Sequence, residues 1–565
     1  MRTSDHFAAS ELARLCAEKG VRHAVISPGS RSAPLVIAFN QQAGIECVRV
    51  IDERSAAFFA LGMAQQLHAP VALICTSGSA VLNYGPAIAE AYYQRIPLLV
   101  ITADRPEEWV DQGEGQAIRQ QGVLALHMKR SVQLPRISND ELARWHCGRL
   151  INEAIDGTLL PVPGPVHVNV PFAEPLYGRT ENKTDVQDLS RFIAPVMTES
   201  FILPDHARWL IGQLSACKKV MVLAGQGTWS DGMRKQLVQF ASLPQVTVHT
   251  EATSNLDDTA FITTIDRVIE AVSDKNEKDL RPELLITFGG AVVSKRIKTL
   301  LRKWRPLQHW NVDAGQRHYD TYQSLTHDIA VSPEIFFAQL APGVQPNESF
   351  YGQAWKMMDE STRGKHNRII ASAPFCDLTV FNTLLDRIPG DSAVHLANST
   401  PARYVQLFDR VRGHRWFSNR GTSGIDGCTS TAVGAAFATQ EPTTLITGDT
   451  AFCYDSNAFW NEQLSPLLKL IVIDNGGGNI FRVIEGPDKD AELLPWFEAP
   501  HGRDIEKLVG SYGLPYYHAS DQTTLVAALD KLYARHEKPA VLHISTDAAT
   551  SPRVLRDYFK RLRGE

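Results

Sequence analysis

Two distant stretches of this chain carry the same arrangement of residues. ICTSGSAVLNYGPAIAEAYYQRIPLLVITAD covers 74–104, and LITGDTAFCYDSNAFWNEQLSPLLKLIVIDN covers 445–475. Each reads as an apolar strand, a turn of small residues, a helix carrying an asparagine (Asn83, Asn457) and a second apolar strand ending in aspartate. The spacing agrees as well, since Gly78 to Asp104 and Gly448 to Asp474 are both 26 residues. Strand–helix–strand units of this kind close as parallel pairs, because the chain must cross over to re-enter the sheet in the same direction. The repeat predicts a duplicated topology, with one parallel sheet near each end of the chain.

The intervening sequence fits that frame. HAVIS (23–27), VALICT (71–76), LLVITA (98–103) and VHVNV (166–170) are short apolar runs separated by helical-period segments, the pattern of parallel strands buried on both faces. At 565 residues the chain exceeds a single core. Polar stretches at 177–190 and 341–370 read as linkers and leave three α/β blocks, 1–182, 190–345 and 365–565. In the middle block VMVLAGQG (220–227) and LLITFGG (284–290) each run from a strand into glycines. GQGTWSDG is not G-x-G-x-x-G, and no acidic residue is spaced for a ribose, so a structural Rossmann-like domain is expected there. The expected fold class is α/β, with three doubly wound parallel-sheet domains.

A net charge of −5 and a pI near 6.4 give no basic surface for nucleic acid or an anionic membrane, so affinity for acidic ligands must come from local arginines. The eight cysteines (16, 47, 75, 147, 217, 376, 428, 453) are scattered without a CxxC pair, which suits buried thiols in a reducing compartment. No apolar run reaches the roughly 18 residues of a membrane span. The opening MRTSDHFAASELARLCAEKG is charged and amphipathic, unlike a signal peptide. A cytoplasmic protein is expected.

The chemistry concentrates where the second copy of the repeat ends. ITGDTAF (446–452) puts Asp449 just past a strand at a helix start, where free N–H groups and the helix dipole favour a carboxylate. IDNGGGNIF (473–481) ends the next strand in Asn475 and three glycines. Glycine triplets add no packing and cost conformational entropy, so their use implies close approach of the backbone to something. Strand ends in a doubly wound sheet converge on one crevice. There the Asp449 carboxylate, the Asn475 amide oxygen and the Gly477 carbonyl offer three hard oxygen ligands, a set that suits Mg²⁺ completed by phosphate and water. Helix N-termini and glycine N–H groups would hold the phosphate oxygens.

Gly-Asp, a spacer and Asn with a following glycine run resembles the motif of the thiamin-diphosphate decarboxylases and carboligases, in which Asp449, Asn475 and the Gly477 carbonyl would hold the metal. The motif usually reads Gly-Asp-Gly, and here Thr450 replaces its third residue, which leaves the ligands intact. Such enzymes need a carboxylate from the other homologous domain, and Glu53 in RVIDERSAAFFALGMA (49–64) supplies one: hydrogen-bonded to the aminopyrimidine N1′, it populates the imino tautomer that deprotonates C2.

SPGSRSAPL (27–35), IDER (51–54), TSGSAV (76–81), TADRP (102–106), GQAIRQ (115–120), NSTPAR (398–403) and SNRGTSGIDG (418–427) occur in order with these motifs. Together they resemble one family nearly end to end, the 2-succinyl-5-enolpyruvyl-6-hydroxy-3-cyclohexene-1-carboxylate synthases of menaquinone biosynthesis. The resemblance implies pyrimidine-binding (1–182), central (190–345) and diphosphate-binding (365–565) domains. It also implies thiamin diphosphate with Mg²⁺ or Mn²⁺, and a homodimer with inter-chain sites, assembled as a homotetramer. The implied reaction decarboxylates 2-oxoglutarate and adds the succinyl carbanion equivalent to isochorismate. Both substrates are dicarboxylates, which calls for guanidiniums. The matching substrate positions are Ser30, Arg31, Arg105, Gln116, Lys295, Arg296, Asn398, Ser399, Arg403 and Arg420, with Phe481 beside them; Arg403 and Arg420 join Glu53 as catalytic residues. Ile425 would prop the cofactor in its bent form, and Ser399, Gly448 and Ile480 complete its lining.

Two features bear on these assignments. Glu114-Gly115 precede Gln116 where the family often has Ala-Asn, and no His-His pair, the proton donor of simple 2-oxoacid decarboxylases, occurs among the histidines. The alternative is another thiamin-diphosphate-dependent 2-oxoacid carboligase or decarboxylase, whose small apolar acceptor would not need the arginine set.

Overall fold

Strands covered on both faces of a sheet are largely apolar, and strands of the first two sheets buried at every residue include Val71–Cys75, Leu98–Asp104, Val220–Ala224, Val246–Thr250 and Leu284–Phe288. The computed structural model describes residues 2–136, 140–181, 189–409, 413–483, 486–487, 490 and 492–564. The first sheet contains β1 (His23–Ile26), β2 (Glu46–Arg49), β3 (Val71–Cys75), β4 (Leu98–Asp104), β5 (Arg130–Gln133) and β6 (Val166–Pro171), in spatial order β2-β1-β3-β4-β6-β5. The second contains β7 (Val220–Ala224), β8 (Val246–Thr250), β9 (Leu284–Phe288), β10 (Gln308–Val312) and β11 (His327–Ile329), in order β8-β7-β9-β10-β11. The third contains β12 (Ala393–Leu396), β13 (Arg415–Phe417), β14 (Thr443–Gly448), β15 (Leu468–Asp474), β16 (Tyr516–Ala519) and β17 (Ala540–Ser545), in order β13-β12-β14-β15-β17-β16. All pairings in the three sheets are parallel.

Counted within each sheet, the first and third have the same order, 2-1-3-4-6-5, and the repeated segments occupy the same place in both. The topology is duplicated, as the spacing predicts. Register then sets the site: Gly448 of β14 lies opposite Ile473 of β15, so the Asp449 turn and the Asp474–Asn475 turn leave adjacent strands at the same level.

The helices used below are α1 (Glu53–Leu67), α2 (Gly85–Gln94), α3 (Lys295–Trp304), α4 (Tyr351–Ser372), α5 (Asp377–Arg387), α6 (Thr400–Tyr404), α7 (Cys428–Thr439) and α8 (Asp449–Tyr454). The first and third sheets share one apolar core because α1 and α7 cross backbone to backbone. A Cβ on Gly62 would come within 2.0 Å of the Thr431 carbonyl oxygen, and one on Gly434 within 2.0 Å of that of Phe59.

The stretch 341–370, expected to be a linker, is largely the helix α4. Asp359, Thr362 and His366 are buried on its inner face, where Tyr351 and Trp355 enter the core of the middle sheet and Ile369 that of the third. Of the other expected linker, 177–190, residues 182–188 lie outside the described residues. The middle-block glycines are packing devices: a Cβ on Gly225 would strike the Gly290 carbonyl oxygen at 2.0 Å, so the loops after β7 and β9 close on each other. All eight cysteines are free thiols. Among the described residues no single helix is long and apolar enough to cross a membrane.

Candidate active site

Asp449 opens α8 with 2% of its surface exposed. Its Oδ1 accepts the Thr450 backbone N–H at 2.7 Å, a bond a glycine there would also make, and the Thr450 hydroxyl at 3.4 Å. Its Oδ2 is buried without a hydrogen-bond partner; His501 Nε2 lies 3.3 Å away but is not aligned to donate. Burial, and then the adjacent Asp474, push Asp449 well above the usual carboxylate range. Burial would raise Asp474 too, but His543, donating at 2.9 Å, and the neighbouring Asp449 carboxyl hold it low. A buried carboxylate oxygen without a hydrogen-bond partner, on a group that burial and a neighbouring carboxylate push toward its neutral form, is what a divalent cation would satisfy, so the residues fit a metal here.

Asn475 is 5% exposed, and its Nδ2 donates to Asp377 at 3.0 Å. The glycine run answers two needs. Gly476 (φ +85°) and Gly477 (φ +136°) adopt backbone that other residues avoid. A Cβ on Gly477 would sit 2.5 Å from the Glu498 carbonyl oxygen, and one on Gly478 would sit 2.9 Å from that of Phe497. The backbone that these glycines approach is therefore that of 497–500, whose Glu498 carbonyl accepts the Gly478 N–H at 2.6 Å. Ile480 follows, buried, and Phe481 packs on Phe497 with ring centroids 5.3 Å apart.

A second group gathers at the ends of β12 and β13. Ser399 caps α6 with φ +75° and ψ −128°, backbone costing on the order of 1–3 kcal/mol that surrounding structure must impose. Asn398 is fully engaged: its Nδ2 donates to the carbonyls of Asn419 (2.7 Å) and Gly424 (2.6 Å), and its Oδ1 accepts Arg420 Nη1 at 2.8 Å. It orients Arg420 and the loop carrying half-buried Ile425. Arg403 lies beside Arg420 and Asp266; burial, then Arg420, lower its pKa.

Three residues not singled out from the sequence hold this group. Glu90 of α2, 1% exposed, accepts the N–H groups of Gly421 (2.6 Å) and Thr422 (2.7 Å) and the Thr422 hydroxyl (2.6 Å), pinning the loop to the first domain. Glu251 accepts Val293 N at 2.6 Å and Ser294 N at 2.7 Å, and burial pushes it up to about 7 against the field of Arg420. Lys298, one turn into α3, interacts electrostatically with both Glu251 and Arg420. By contrast Lys295 is exposed, and Arg296 is paired with Glu270 and stacked 3.7 Å from the Phe559 ring centre. A cavity of about 590 Å³ bordered by Gln94, Trp229, Phe288, Lys298, Tyr322 and Arg420 lies on the middle-domain side of this group.

The third group belongs to the first sheet. Arg31, 5% exposed, donates to the Phe172 carbonyl at 3.1 Å and to Glu174 at 3.3 Å; burial, then Arg105, lower its pKa. Arg105 Nε donates to the Gly115 carbonyl at 2.8 Å and its Nη1 pairs with Glu114 at 3.2 Å, so the departure at 114–115 anchors an arginine. Gln116 follows at φ +57°, and Ser30 is exposed. Half-buried Glu53 starts α1, with Cys75 and Tyr84 in its field. Its neighbours tie to the third domain: Asp52 accepts Asn457 Nδ2 at 2.7 Å, and Arg54 donates to the Tyr454 carbonyl at 2.9 Å. Among the described residues no hydrogen bond or ion pair occupies the Glu53 carboxylate, and none joins this group to Arg403, Arg420, Asp449 or Asn475.

Comparison with known proteins matches residues 8–123 to the N-terminal and 399–544 to the C-terminal TPP-binding domain of thiamine pyrophosphate enzymes. The chain is 39% identical over 558 residues to the 2-succinyl-5-enolpyruvyl-6-hydroxy-3-cyclohexene-1-carboxylate synthase of Flavobacterium johnsoniae, covering 98% of each. The chain belongs to this synthase family. It is 42% identical to the synthase of Flavobacterium psychrophilum over 98% of each chain, and 38% identical to that of Porphyromonas gingivalis over 100% of this chain and 98% of the other. The fold resembles benzoylformate decarboxylase from Polynucleobacter necessarius, with a TM-score of 0.72 at 15% identity over 98% of this chain and 100% of the other. Like the rest of its synthase family, the chain is a thiamin-diphosphate enzyme of menaquinone biosynthesis.

Proposed function

We propose that the chain decarboxylates 2-oxoglutarate and joins the remaining four-carbon unit to isochorismate, forming 2-succinyl-5-enolpyruvyl-6-hydroxy-3-cyclohexene-1-carboxylate and CO₂. The carrying observation is the near-full-length identity to synthases of that name. Bound thiamin diphosphate supplies a nucleophilic carbon and a sink for the electrons released with CO₂. The Asp449 carboxylate, Asn475 Oδ1 and the Gly477 carbonyl hold its Mg²⁺ or Mn²⁺, and Gly448, Ser399, Ile425 and Ile480 line its bed. Glu53 holds a proton against the pyrimidine N1′. Arg403 and Arg420 face one dicarboxylate, with Asn398 fixing the direction of the Arg420 fork. Ser30, Arg31, Arg105 and Gln116 receive carboxylate and hydroxyl groups from the other side. Phe481 walls the pocket, and Lys295 and Arg296 guard its rim.

The Glu53 group of one chain and the Asp449 and Arg420 groups of another face one cofactor across a two-fold interface, so a homodimer has two sites, and pairs of dimers form a homotetramer. The setting is the cytoplasm. Supplying thiamin diphosphate, Mg²⁺ and 2-oxoglutarate and following CO₂ tests the reading. Release should depend strongly on isochorismate; equal release without it would assign the chain to simple decarboxylation.

A further inference from the structure

An asparagine that ligates a cation must present its oxygen, and its side chain is nearly symmetric, so something must choose which end faces the site. Asn475 has such a partner. Asp377, the first residue of α5, is 1% exposed. Its Oδ1 accepts the hydroxyls of Thr546 at 2.6 Å and Ser551 at 3.0 Å, and its Oδ2 accepts Asn475 Nδ2 at 3.0 Å. The backbone N–H of Asp377 donates to the same Ser551 hydroxyl at 3.0 Å, which locks the carboxylate to the helix start. A carboxylate receiving three donors can only accept, so the NH₂ end of Asn475 is the end that faces it. The amide oxygen must then point away from Asp377. Among the described residues no hydrogen bond reaches that oxygen.

We infer that Asp377 is the positioning residue of the cation site: it fixes the Asn475 amide so that Oδ1, and not the NH₂, meets the metal. This rests on the cation reading of Asp449, Asn475 and Gly477 given above. The device spans the third sheet, because Asp377 precedes it, Asn475 leaves β15, and Thr546 and Ser551 follow β17. The Asn475 turn is thereby tied to the two segments that flank it. Outer partners of this kind orient the first ligands of a metal and commonly matter 10–100-fold, roughly, in affinity.

The test is Mn²⁺ binding to the full-length protein at saturating thiamin diphosphate, read from the electron paramagnetic resonance signal of the free ion. Asp377→Ala should raise the Mn²⁺ Kd by about 10–100-fold. Asp377→Asn keeps an acceptor oxygen but turns its own NH₂ on the two hydroxyls, and should raise Kd less, by at least about threefold. Asn475→Ala should weaken binding as well. Adding Asp377→Ala to it should then cost little more, because the carboxylate has lost the group it orients. A purely structural role would lower the melting temperature and leave Kd alone. Wild-type Kd in both Asp377 variants, with Asn475→Ala weakened, overturns the positioning role by itself; if Asp377→Ala does not fold, the Asn variant decides alone. Wild-type Kd in Asn475→Ala overturns the cation reading, and this inference with it.

Discussion

In the proposed cation set Asp449 is the one anionic ligand, so its loss should abolish cofactor binding rather than slow the chemistry alone. Wild-type protein should melt higher in thiamin diphosphate and Mg²⁺, since a ligand of the folded state stabilises by mass action, and Asp449→Ala should lose that increment. An unchanged increment would place the cation elsewhere. Glu53→Gln should keep the increment but slow turnover by about 10²–10⁴-fold, the usual range for a lost acid–base group. Arg420→Ala should cost on the order of 2–5 kcal/mol in kcat/KM, with poor rescue by lysine, which cannot reproduce the fork that Asn398 orients. Wild-type kinetics in that variant would make Arg420 a bystander. The proposed cation ligands and arginines stand out in the sequence because they sit in or beside glycine- or serine-rich turns after apolar strands. Their holders were not. Glu90 meets Gly421 across 331 residues, and nothing in a helical glutamate names the loop it will accept from. The sequence points to Lys295 and Arg296 at the start of α3, whereas Lys298, one turn further on, is the lysine in the field of Arg420, a difference that spacing alone does not fix.

Turns and helices explain the glycines better than ligand contact alone. The triplet at 476–478 permits left-handed backbone and lets the turn lie against the carbonyls of 497 and 498, so the strand end, the glycine turn and the segment after it form one unit. The α1–α7 crossing uses the same device without any site: Gly434 meets a fixed carbonyl, which cannot yield as a side chain could. Gly434→Val should therefore exceed the usual overpacking cost and destabilise by at least about 3 kcal/mol, read as a lower urea midpoint. A wild-type midpoint would mean that the two helices are free to separate. The duplicated strand order could be read from spacing because a crossover unit fixes its own direction. Helix α4 could not, since its apolar residues divide between two cores and give neither a continuous stripe nor a high average hydrophobicity.

Assembly decides whether the pieces make a site. The first and third sheets are copies of one topology and share a core, and Asp52 and Arg54 tie the start of α1 to the third domain. Yet among the described residues no hydrogen bond or ion pair joins Glu53 itself to Asp449 or Asn475. On the proposed reading, one cofactor touching both bridges two chains related by a two-fold axis. A dimer of one Glu53→Gln chain and one Asp449→Ala chain then carries one doubly damaged site and one wholly intact site. Random co-assembly makes about half the dimers mixed, so roughly a quarter of all sites are intact. Co-expressing the two inactive variants, with mixed dimers verified by mass, should restore about that fraction of wild-type turnover. A mixture as inactive as its parents would mean that each site lies within one chain.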